Sequence, residues 1–330
     1  MARQARLDAV GALHHVIGRG IEGTEIFAHD ADRNDFLNRL ADLCRQEALI
    51  IYAWALMSNH FHLLVRTARQ PLSQSMRRLL TGYVVNYNRK NSRYGHLFQN
   101  RYKSIICEDD PYLLELTRYI HLNPLRAGMV GNIESLSRYP WVGHSAIMGS
   151  VKREWQDVDT VLSYFGTRYK RARARYEAFV EEGIAQGRRP ELVGGGLIRS
   201  LGGWSQVLSL RRRGGKIFSD ERILGSTEFV QGVIFDAEQR EKETLRLSLQ
   251  ISSLAILAEK IARGEGLDKE ELRSGSRKRT ITMARRLFSQ IAVKKMGYSG
   301  AEVARFLGVT TSAVNRLAAT DEMPDVAKYI

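Results

Sequence analysis

The chain has 330 residues, 44% of them hydrophobic, and a formal net charge of +14 with a pI of about 9.9. This length allows two domains, and the excess of positive charge makes polyanions the first partners to consider, nucleic acid before membrane. Two cysteines, Cys44 and Cys107, exclude a disulfide framework and a cysteine metal site. The N-terminus lacks the apolar core of a signal peptide, and the longest apolar run, 49–57, is too short to span a bilayer. We therefore predict a cytoplasmic protein with no membrane partner.

The first 123 residues predict alternating strands and helices. In chain order these are a strand over 13–21, a helix over 31–47 capped by Asp30, a hairpin over 49–67 turning at Ser58-Asn59, a helix over 71–89, a loop leading into a strand over 95–107, and a helix from Asp110-Pro111 to Asn123. The order favours an α+β fold with a ferredoxin-like antiparallel sheet and helices on one of its faces.

The composition of the sequence changes after Trp141. A basic run, Lys170 to Arg175, lies on a predicted helix that continues to Gly183, and the stretch 187–203, rich in Gly, Pro and Arg, predicts a linker. The remainder predicts helices throughout. We therefore expect three parts: a first domain over 1–150, a basic helix and linker over 151–219, and an all-α domain over 220–330.

Two histidines, His60 and His62, flank Phe61 in a predicted strand. Residues two apart share a face of a strand, so both imidazoles point one way while Phe61, Leu63 and Val65 point into the core. Two neutral imidazoles can ligate one divalent metal. A bare pair of this kind is more often one packed histidine and one surface histidine, so a third ligand is needed. No HExxH motif accompanies the pair, which leaves a zinc protease without support.

Tyr119 and Asn123 are four residues apart and share one face of a predicted helix. The amide oxygen of Asn123 suits Mg²⁺ or Mn²⁺, and the phenol of Tyr119 is a possible nucleophile that needs a metal to polarise its target phosphate. The alternative is an amphipathic helix with Asn123 as its C-terminal cap.

Together these motifs resemble the single-tyrosine HUH transposases, and within them the REP-associated tyrosine transposases. The resemblance covers about residues 9–149. It rests on HHVIGRG near the start, NHFHLLV at the histidine pair, GHLFQNRYKS before the helix, RYIHLNPLRAG around the tyrosine, and YPW at 139–141.

The resemblance implies a ferredoxin-like domain that cuts and joins single-stranded hairpin DNA through a 5′-phosphotyrosine. Tyr119 would be the nucleophile. His60, His62 and Asn123 would hold Mg²⁺ or Mn²⁺, although insertion-sequence relatives usually carry Gln in place of this Asn. Related enzymes include dimers, and the sequence leaves the choice between monomer and dimer open. Three basic residues of the quoted motifs are predicted DNA contacts: Arg19, Arg101 and Lys103.

Other tyrosines and histidines are weaker candidates for nucleophile or metal ligand. Tyr112 lies on the same helix face as Tyr119 and is the rival nucleophile, whereas Tyr83 and Tyr87 are predicted to pack or to stack on a DNA base. Packing or DNA-facing roles are predicted for His14, His15, His96 and His121.

The segment 281–319 predicts a helix-turn-helix. Ser299 would cap one short helix, Gly308 would make the turn, and Thr310 or Thr311 would cap the next. The segment resembles the DNA-binding domain of the bacterial replication initiator, which implies a duplex DNA partner. The residues predicted to face the major groove are Ser312, Ala313, Asn315 and Arg316, and those predicted to add positive charge beside it are Arg277, Lys278, Arg279, Arg285 and Arg286.

The sequence thus predicts a metal-dependent DNA strand transferase with a C-terminal DNA-binding domain. The alternative is a non-catalytic, domesticated DNA-binding regulator of repeat sequences. A hydrolase that uses the histidines as acid and base is disfavoured, because no second HxT or HxH motif follows.

Overall fold

The computed structural model describes residues 7–187, 189–193, 220–250 and 253–329. The chain divides into two compact units, residues 1–232 and 233–330, which we call the N-terminal unit and the C-terminal unit. The predicted linker over 187–203 lies mostly outside the described residues. No described helix is both long and apolar enough to cross a membrane.

The N-terminal unit is built on one sheet with the strand order β2-β3-β1-β4-β5. The strands are Leu13–Arg19 (β1), Leu49–Leu56 (β2), His60–Thr67 (β3), Lys103–Cys107 (β4) and Ile223–Leu224 (β5). The first four pair antiparallel, in the order of a ferredoxin-like fold, which confirms the predicted class. The short β5 pairs parallel with β4, so the sheet is mixed. The sequence assigned this segment to helix, because two residues are too few to show a strand pattern.

Helices make up most of the rest of the described chain. Those of the N-terminal unit are Asp30–Arg45 (α1), Leu72–Lys90 (α2), Asp109–His121 (α3), Asn123–Arg126 (α4), Ile133–Arg138 (α5), Gly143–Met148 (α6), Val158–Ser163 (α7) and Tyr169–Glu182 (α8). Thr227–Gln250 (α9) begins there and extends into the C-terminal unit. The remaining helices are Leu254–Glu265 (α10), Lys269–Arg273 (α11), Arg279–Gln290 (α12), Gly300–Leu307 (α13), Thr311–Ala319 (α14) and Val326–Tyr329 (α15).

Helices cover both faces of the sheet, not one face as predicted. Phe61, Leu63 and Val65 of β3 pack into the core that α1 and α2 close. Leu64 points to the opposite face, where α3 and the helices after it close a second core. The physical reason lies in β2, whose apolar run is buried on both faces and leaves no polar face for solvent.

Two predicted helix caps are wrong by one or two residues. The N-cap of α1 is His29, with Asp32 accepting from the backbone N–H of His29, and the N-cap of α3 is Glu108. Both mispredicted caps, Asp30 and Asp110, lie instead in the first turn, where a carboxylate still complements the helix dipole.

The C-terminal unit contains the predicted pair of short helices. The Ser299 side chain caps α13, Gly308 ends α13 with a φ of 69°, and the Thr310 side chain caps α14. These local predictions are confirmed because each depends only on a cap residue or on the left-handed turn that glycine favours. The core of this unit is made by Leu257, Phe288 and other buried apolar side chains.

Candidate active site

The histidine pair lies at the start of β3, on the face that α3 covers. His62 is buried at 5% exposure and His60 is half-buried, and their ring centroids are 5.2 Å apart. The predicted common face is confirmed. Burial is the main cause that lowers the pKa of both imidazoles, and neighbouring charges add to it. Both rings are therefore neutral near pH 7, which is the form that ligates metals.

Each imidazole of the pair is held through Nδ1. The Nδ1 atom of His60 lies 2.7 Å from the Oδ1 atom of Asn59, and that of His62 lies 3.0 Å from the Nε2 atom of His15. His15 is fully buried, and its ring is nearly coplanar with that of His62, with 5.2 Å between the ring centroids and 26° between the planes. From the sequence, His15 was predicted only to pack or to face DNA. Its partner is 47 residues away, and no local pattern could reveal the contact.

Tyr119 of α3 lies against these rings. Its ring centroid is 6.0 Å from that of His62 and 6.1 Å from that of His15, with edge-to-face geometry in both contacts. The guanidinium carbon of Arg126 lies 5.4 Å from the phenol ring, and its Nη1 donates to the Tyr119 carbonyl at 3.4 Å. The Tyr119 ring therefore lies beside two buried imidazoles and one guanidinium.

Tyr112, the rival on α3, is in a different environment. It is half-buried in the core on that side of the sheet, and burial together with the carboxylate of Glu108 raises its pKa. A raised pKa makes a phenol a poorer nucleophile near pH 7. Tyr119 and Tyr112 differ in that only the Tyr119 ring contacts those of His15 and His62.

Asn123 follows Tyr119 by one helical turn. Its Nδ2 donates to the carbonyl oxygens of Tyr119 at 3.0 Å and Ile120 at 3.2 Å, so it caps the end of α3. Because carbonyl oxygens only accept, the amide nitrogen faces the helix and Oδ1 is the atom left for other partners. The cap that the sequence offered as an alternative is present, and it is compatible with ligation through Oδ1.

The donor set fits a divalent metal. No group of three or more His, Cys, Asp or Glu side chains suited to a metal exists in the described part of the chain. A metal bound here would be held by the His60 and His62 imidazoles together with an oxygen donor, for which the Asn123 amide is the candidate. Mixed imidazole and oxygen ligands suit Mn²⁺ and tolerate Mg²⁺, and three protein ligands leave positions for phosphate and water.

The basic residues predicted for the N-terminal unit differ in their surroundings. Arg19 of β1 is exposed and pairs with His60 across the strands, and its charge contributes to the lowered pKa of His60. Arg101 is exposed just before β4, while Lys103 donates to the carbonyl of Val193 at 2.9 Å. Arg19 is thus the predicted DNA contact nearest to the histidine pair.

Tyr83 and Tyr87 lie in the other core, closed by α1 and α2. The Tyr83 hydroxyl donates to the Ile26 carbonyl and that of Tyr87 to the Glu25 carbonyl at 3.3 Å, and burial raises both pKa values. Both residues therefore pack, and neither offers a ring face to a DNA base.

In the C-terminal unit, α14 presents Ser312, Asn315 and Arg316 to solvent, while Val314 and Ala318 point into the core. Their exposure is compatible with the predicted duplex contact. The basic residues at the start of α12, Arg277, Lys278 and Arg279, are exposed as well.

Arg285 is the clearest departure from prediction. It is 8% exposed, and its guanidinium donates to the carbonyl oxygens of Leu272 at 2.8 Å and Ser276 at 2.7 Å and also to that of Ser274. These carbonyls belong to the end of α11 and the turn after it, so Arg285 caps this turn and most of its side chain is withdrawn from the surface. Arg286, its neighbour, is partly exposed and donates to the Asp321 carbonyl at 2.8 Å.

Comparison with known proteins confirms part of the resemblance. Residues 11–123 match the family model described as "Transposase IS200 like", which is about a third of the chain. A solved structure titled "Structure of the REP associates tyrosine transposase bound to a REP hairpin" is similar at 15% identity and a TM-score of 0.38, covering 48% of this chain and 90% of that chain. No curated protein matches the sequence significantly. The matched segment begins just before β1 and ends at Asn123, so it contains His15, the histidine pair and Tyr119.

Proposed function

We propose that this protein cuts and rejoins single-stranded DNA, in a hairpin or repeat-associated context, through a 5′-phosphotyrosine intermediate with Mg²⁺ or Mn²⁺. The observation that carries the proposal is the contact of Tyr119 with His62, at 6.0 Å between ring centroids, inside a segment that matches IS200-like transposases. Acting on DNA, the protein would work in the cytoplasm.

The proposed chemistry assigns a role to each side chain. The Tyr119 oxygen attacks the phosphorus, a Tyr–O–P bond forms and the bond from phosphorus to the 3′ oxygen breaks. The phenol loses a proton and the leaving 3′ oxygen gains one. His60, His62 and the Asn123 oxygen would hold the ion, which supplies Lewis-acid polarisation of the phosphate. The guanidinium carbon of Arg126, 5.4 Å from the centroid of the Tyr119 ring, places a positive charge beside the attacking group.

The phosphoester energy is retained in the tyrosine link. A second DNA 3′-hydroxyl can therefore reverse the step and rejoin strands without ATP. This is the chemical requirement for DNA transposition by cutting and joining.

The C-terminal unit is proposed to bind duplex DNA through α14. Ser312, Asn315 and Arg316 form its exposed polar stripe, and Asn and Arg are the side chains that read adenine and guanine in the major groove. The proposed organisation is a catalytic domain over 1–150, a basic connecting part over 151–219 and a DNA-binding domain over 220–330. Residues 220–232 of that last part, including β5, belong to the N-terminal unit.

The test is formation of a covalent protein–DNA adduct. The full chain is incubated with end-labelled single-stranded hairpin DNA from the flanks of its own gene, with Mg²⁺ or Mn²⁺, and analysed on a denaturing gel. The wild type and Tyr112→Phe, the control from the same helix, should form the adduct, whereas Tyr119→Phe and the double variant His60→Ala/His62→Ala should not. An adduct that survives Tyr119→Phe would refute the assigned nucleophile. Binding of the hairpin without any adduct would favour the non-catalytic regulator.

A further inference from the structure

Three buried groups form a hydrogen-bonded chain that ends at His62. The carbonyl oxygen of Leu192 lies 3.1 Å from Nδ1 of His15, and Nε2 of His15 lies 3.0 Å from Nδ1 of His62. His15 and His62 are 0% and 5% exposed, so water is largely excluded from these contacts. The chain therefore has to satisfy its own donors and acceptors.

Only one arrangement of protons satisfies every contact between neutral rings. The Leu192 oxygen can only accept, so Nδ1 of His15 carries the proton and Nε2 of His15 carries a lone pair. That lone pair requires a proton on Nδ1 of His62, which leaves the lone pair of His62 on Nε2. Any other pair of neutral tautomers would put two lone pairs or two protons face to face.

A separate chain gives His60 the same tautomer. The Nδ2 atom of Asn59 donates to the carbonyl of Gly23 at 3.2 Å, so its Oδ1 is the atom that faces Nδ1 of His60 at 2.7 Å. Oδ1 accepts, so Nδ1 of His60 carries the proton and Nε2 carries the lone pair. Two chains that begin at different backbone carbonyls thus reach the same result.

We infer that His15 and Asn59 are positioning residues that hold His62 and His60 in the Nδ1-protonated tautomer, so that both Nε2 lone pairs are available to one divalent metal. The inference rests on the proposed function only in assigning the metal to these two histidines. His15 is not itself a ligand, because both of its ring nitrogens are engaged.

Loss of His15 should weaken metal binding more than loss of Asn59. His62 is buried, so loss of the His15 acceptor cannot be replaced by water, and the His62 ring becomes free to change tautomer and orientation. His60 is half-buried, and water can replace the Asn59 oxygen. Loss of an outer hydrogen-bond partner commonly weakens metal binding by roughly 10- to 100-fold, and we expect this range for His15 and a smaller effect for Asn59.

The chain offers a matched control in His14. It precedes His15 in β1, is fully buried as well, and by strand alternation points to the opposite face of the sheet. It takes no part in the hydrogen-bonded chain that links Leu192, His15 and His62. His14→Leu and His15→Leu are therefore the same substitution at adjacent buried positions, and they differ in the contact with His62.

The first measurement is made on the metal-free full chain. Long-range ¹H–¹⁵N NMR of ¹⁵N-histidine protein distinguishes a protonated from an unprotonated ring nitrogen. We expect Nδ1 protonated and Nε2 unprotonated for His62 in the wild type and in His14→Leu. A dominant Nε2-protonated form in the wild type would overturn the inference, whatever the fate of the proposed function.

The second measurement is Mn²⁺ affinity without DNA, followed by electron paramagnetic resonance. His15→Leu should bind Mn²⁺ roughly 10- to 100-fold more weakly, His14→Leu should match the wild type, and His15→Gln should recover part of the loss because its amide oxygen can accept from His62. Equal affinity of His15→Leu and wild type would refute the positioning role. If His15→Leu does not fold, His15→Gln against His14→Leu makes the same comparison. Absence of Mn²⁺ binding in the wild type would refute the metal site and leave the NMR result to decide the tautomer.

Discussion

The two units place their polar residues in opposite ways. All eight histidines of the chain lie between positions 14 and 144, in the N-terminal unit, and the C-terminal unit has none. In the N-terminal unit the proposed chemistry depends on buried rings with fixed partners, such as His15 and His62. In the C-terminal unit the proposed contacts are exposed side chains of α14 over an apolar core. Reaction centres need groups that are desolvated and fixed in advance, whereas a DNA-reading helix needs groups that can still exchange water for bases.

The largest expected effect comes from removing the phenol oxygen of Tyr119, which should abolish the activity of one unit and spare that of the other. Tyr119→Phe should lower the rate of hairpin cleavage by at least ~10⁴-fold, as removal of a nucleophile does, and should leave affinity for duplex DNA within about twofold. Cleavage by the full chain is followed on labelled hairpin, and duplex binding by fluorescence anisotropy. If Tyr119→Phe lost both hairpin cleavage and duplex binding, the two activities would not belong to separate units.

Acid should affect the N-terminal unit first. Burial lowers the pKa of His14 and of His144 to about 4, below the ordinary 6.5, so their contribution to stability is complete above pH 6.5 and is lost as the pH falls toward 4. Each of these two histidines should lower the free energy of unfolding by about 1.4 kcal/mol per pH unit between pH 6.5 and 4. Urea unfolding followed by tryptophan fluorescence reports on this unit, because all four tryptophans precede residue 233. His14→Leu should flatten the profile, and an unchanged slope would contradict the assignment.

Arg285 tests whether charge in the C-terminal unit always means DNA contact. Arg285→Ala leaves buried carbonyls of the α11 end without donors and should destabilise this unit by about 2–4 kcal/mol, whereas Arg286→Ala should cost under about 1 kcal/mol. Hydrogen exchange of peptides from 269–290 in the full chain measures both. Equal protection in the two variants would show that the buried hydrogen bonds of Arg285 contribute little.

The smallest effect concerns reading of bases by α14. Arg316→Ala should weaken binding to duplexes selected from a random pool by about 1–3 kcal/mol and relax preference at one base pair. Arg263→Ala, on α10 and 82% exposed, removes the same charge elsewhere in the unit. Equal losses in the two variants would reduce the role of Arg316 to general electrostatics.

The sequence predicted those parts of the fold and site that depend on local spacing. The common face of His60 and His62 follows from the two-residue period of a strand, the capping of the Tyr119 carbonyl by Asn123 from their four-residue spacing, and the caps of α13 and α14 from single residues. The order of the four main strands also followed from the order of elements along the chain.

The missed features depend on contacts between distant residues. His15 meets His62 across 47 residues and Leu192 across 177, and a strand register between non-adjacent segments cannot be read from periodicity. The burial of Arg285 was missed because an arginine in a basic stretch predicts exposure, while the carbonyls that hold it are defined only by the folded turn. The strand β5 was missed because its two residues pair with β4 over more than a hundred positions.

The most direct test of the central claim is to locate the covalent link. After reaction of the full chain with hairpin DNA and Mn²⁺, the adduct is digested with nuclease and protease and the modified peptide is sequenced by mass spectrometry. A phosphate or nucleotide remnant on Tyr119, lost without metal and lost in His60→Ala/His62→Ala, is the predicted result. A remnant on Tyr112, or one on Tyr119 that forms equally without metal, would contradict the account.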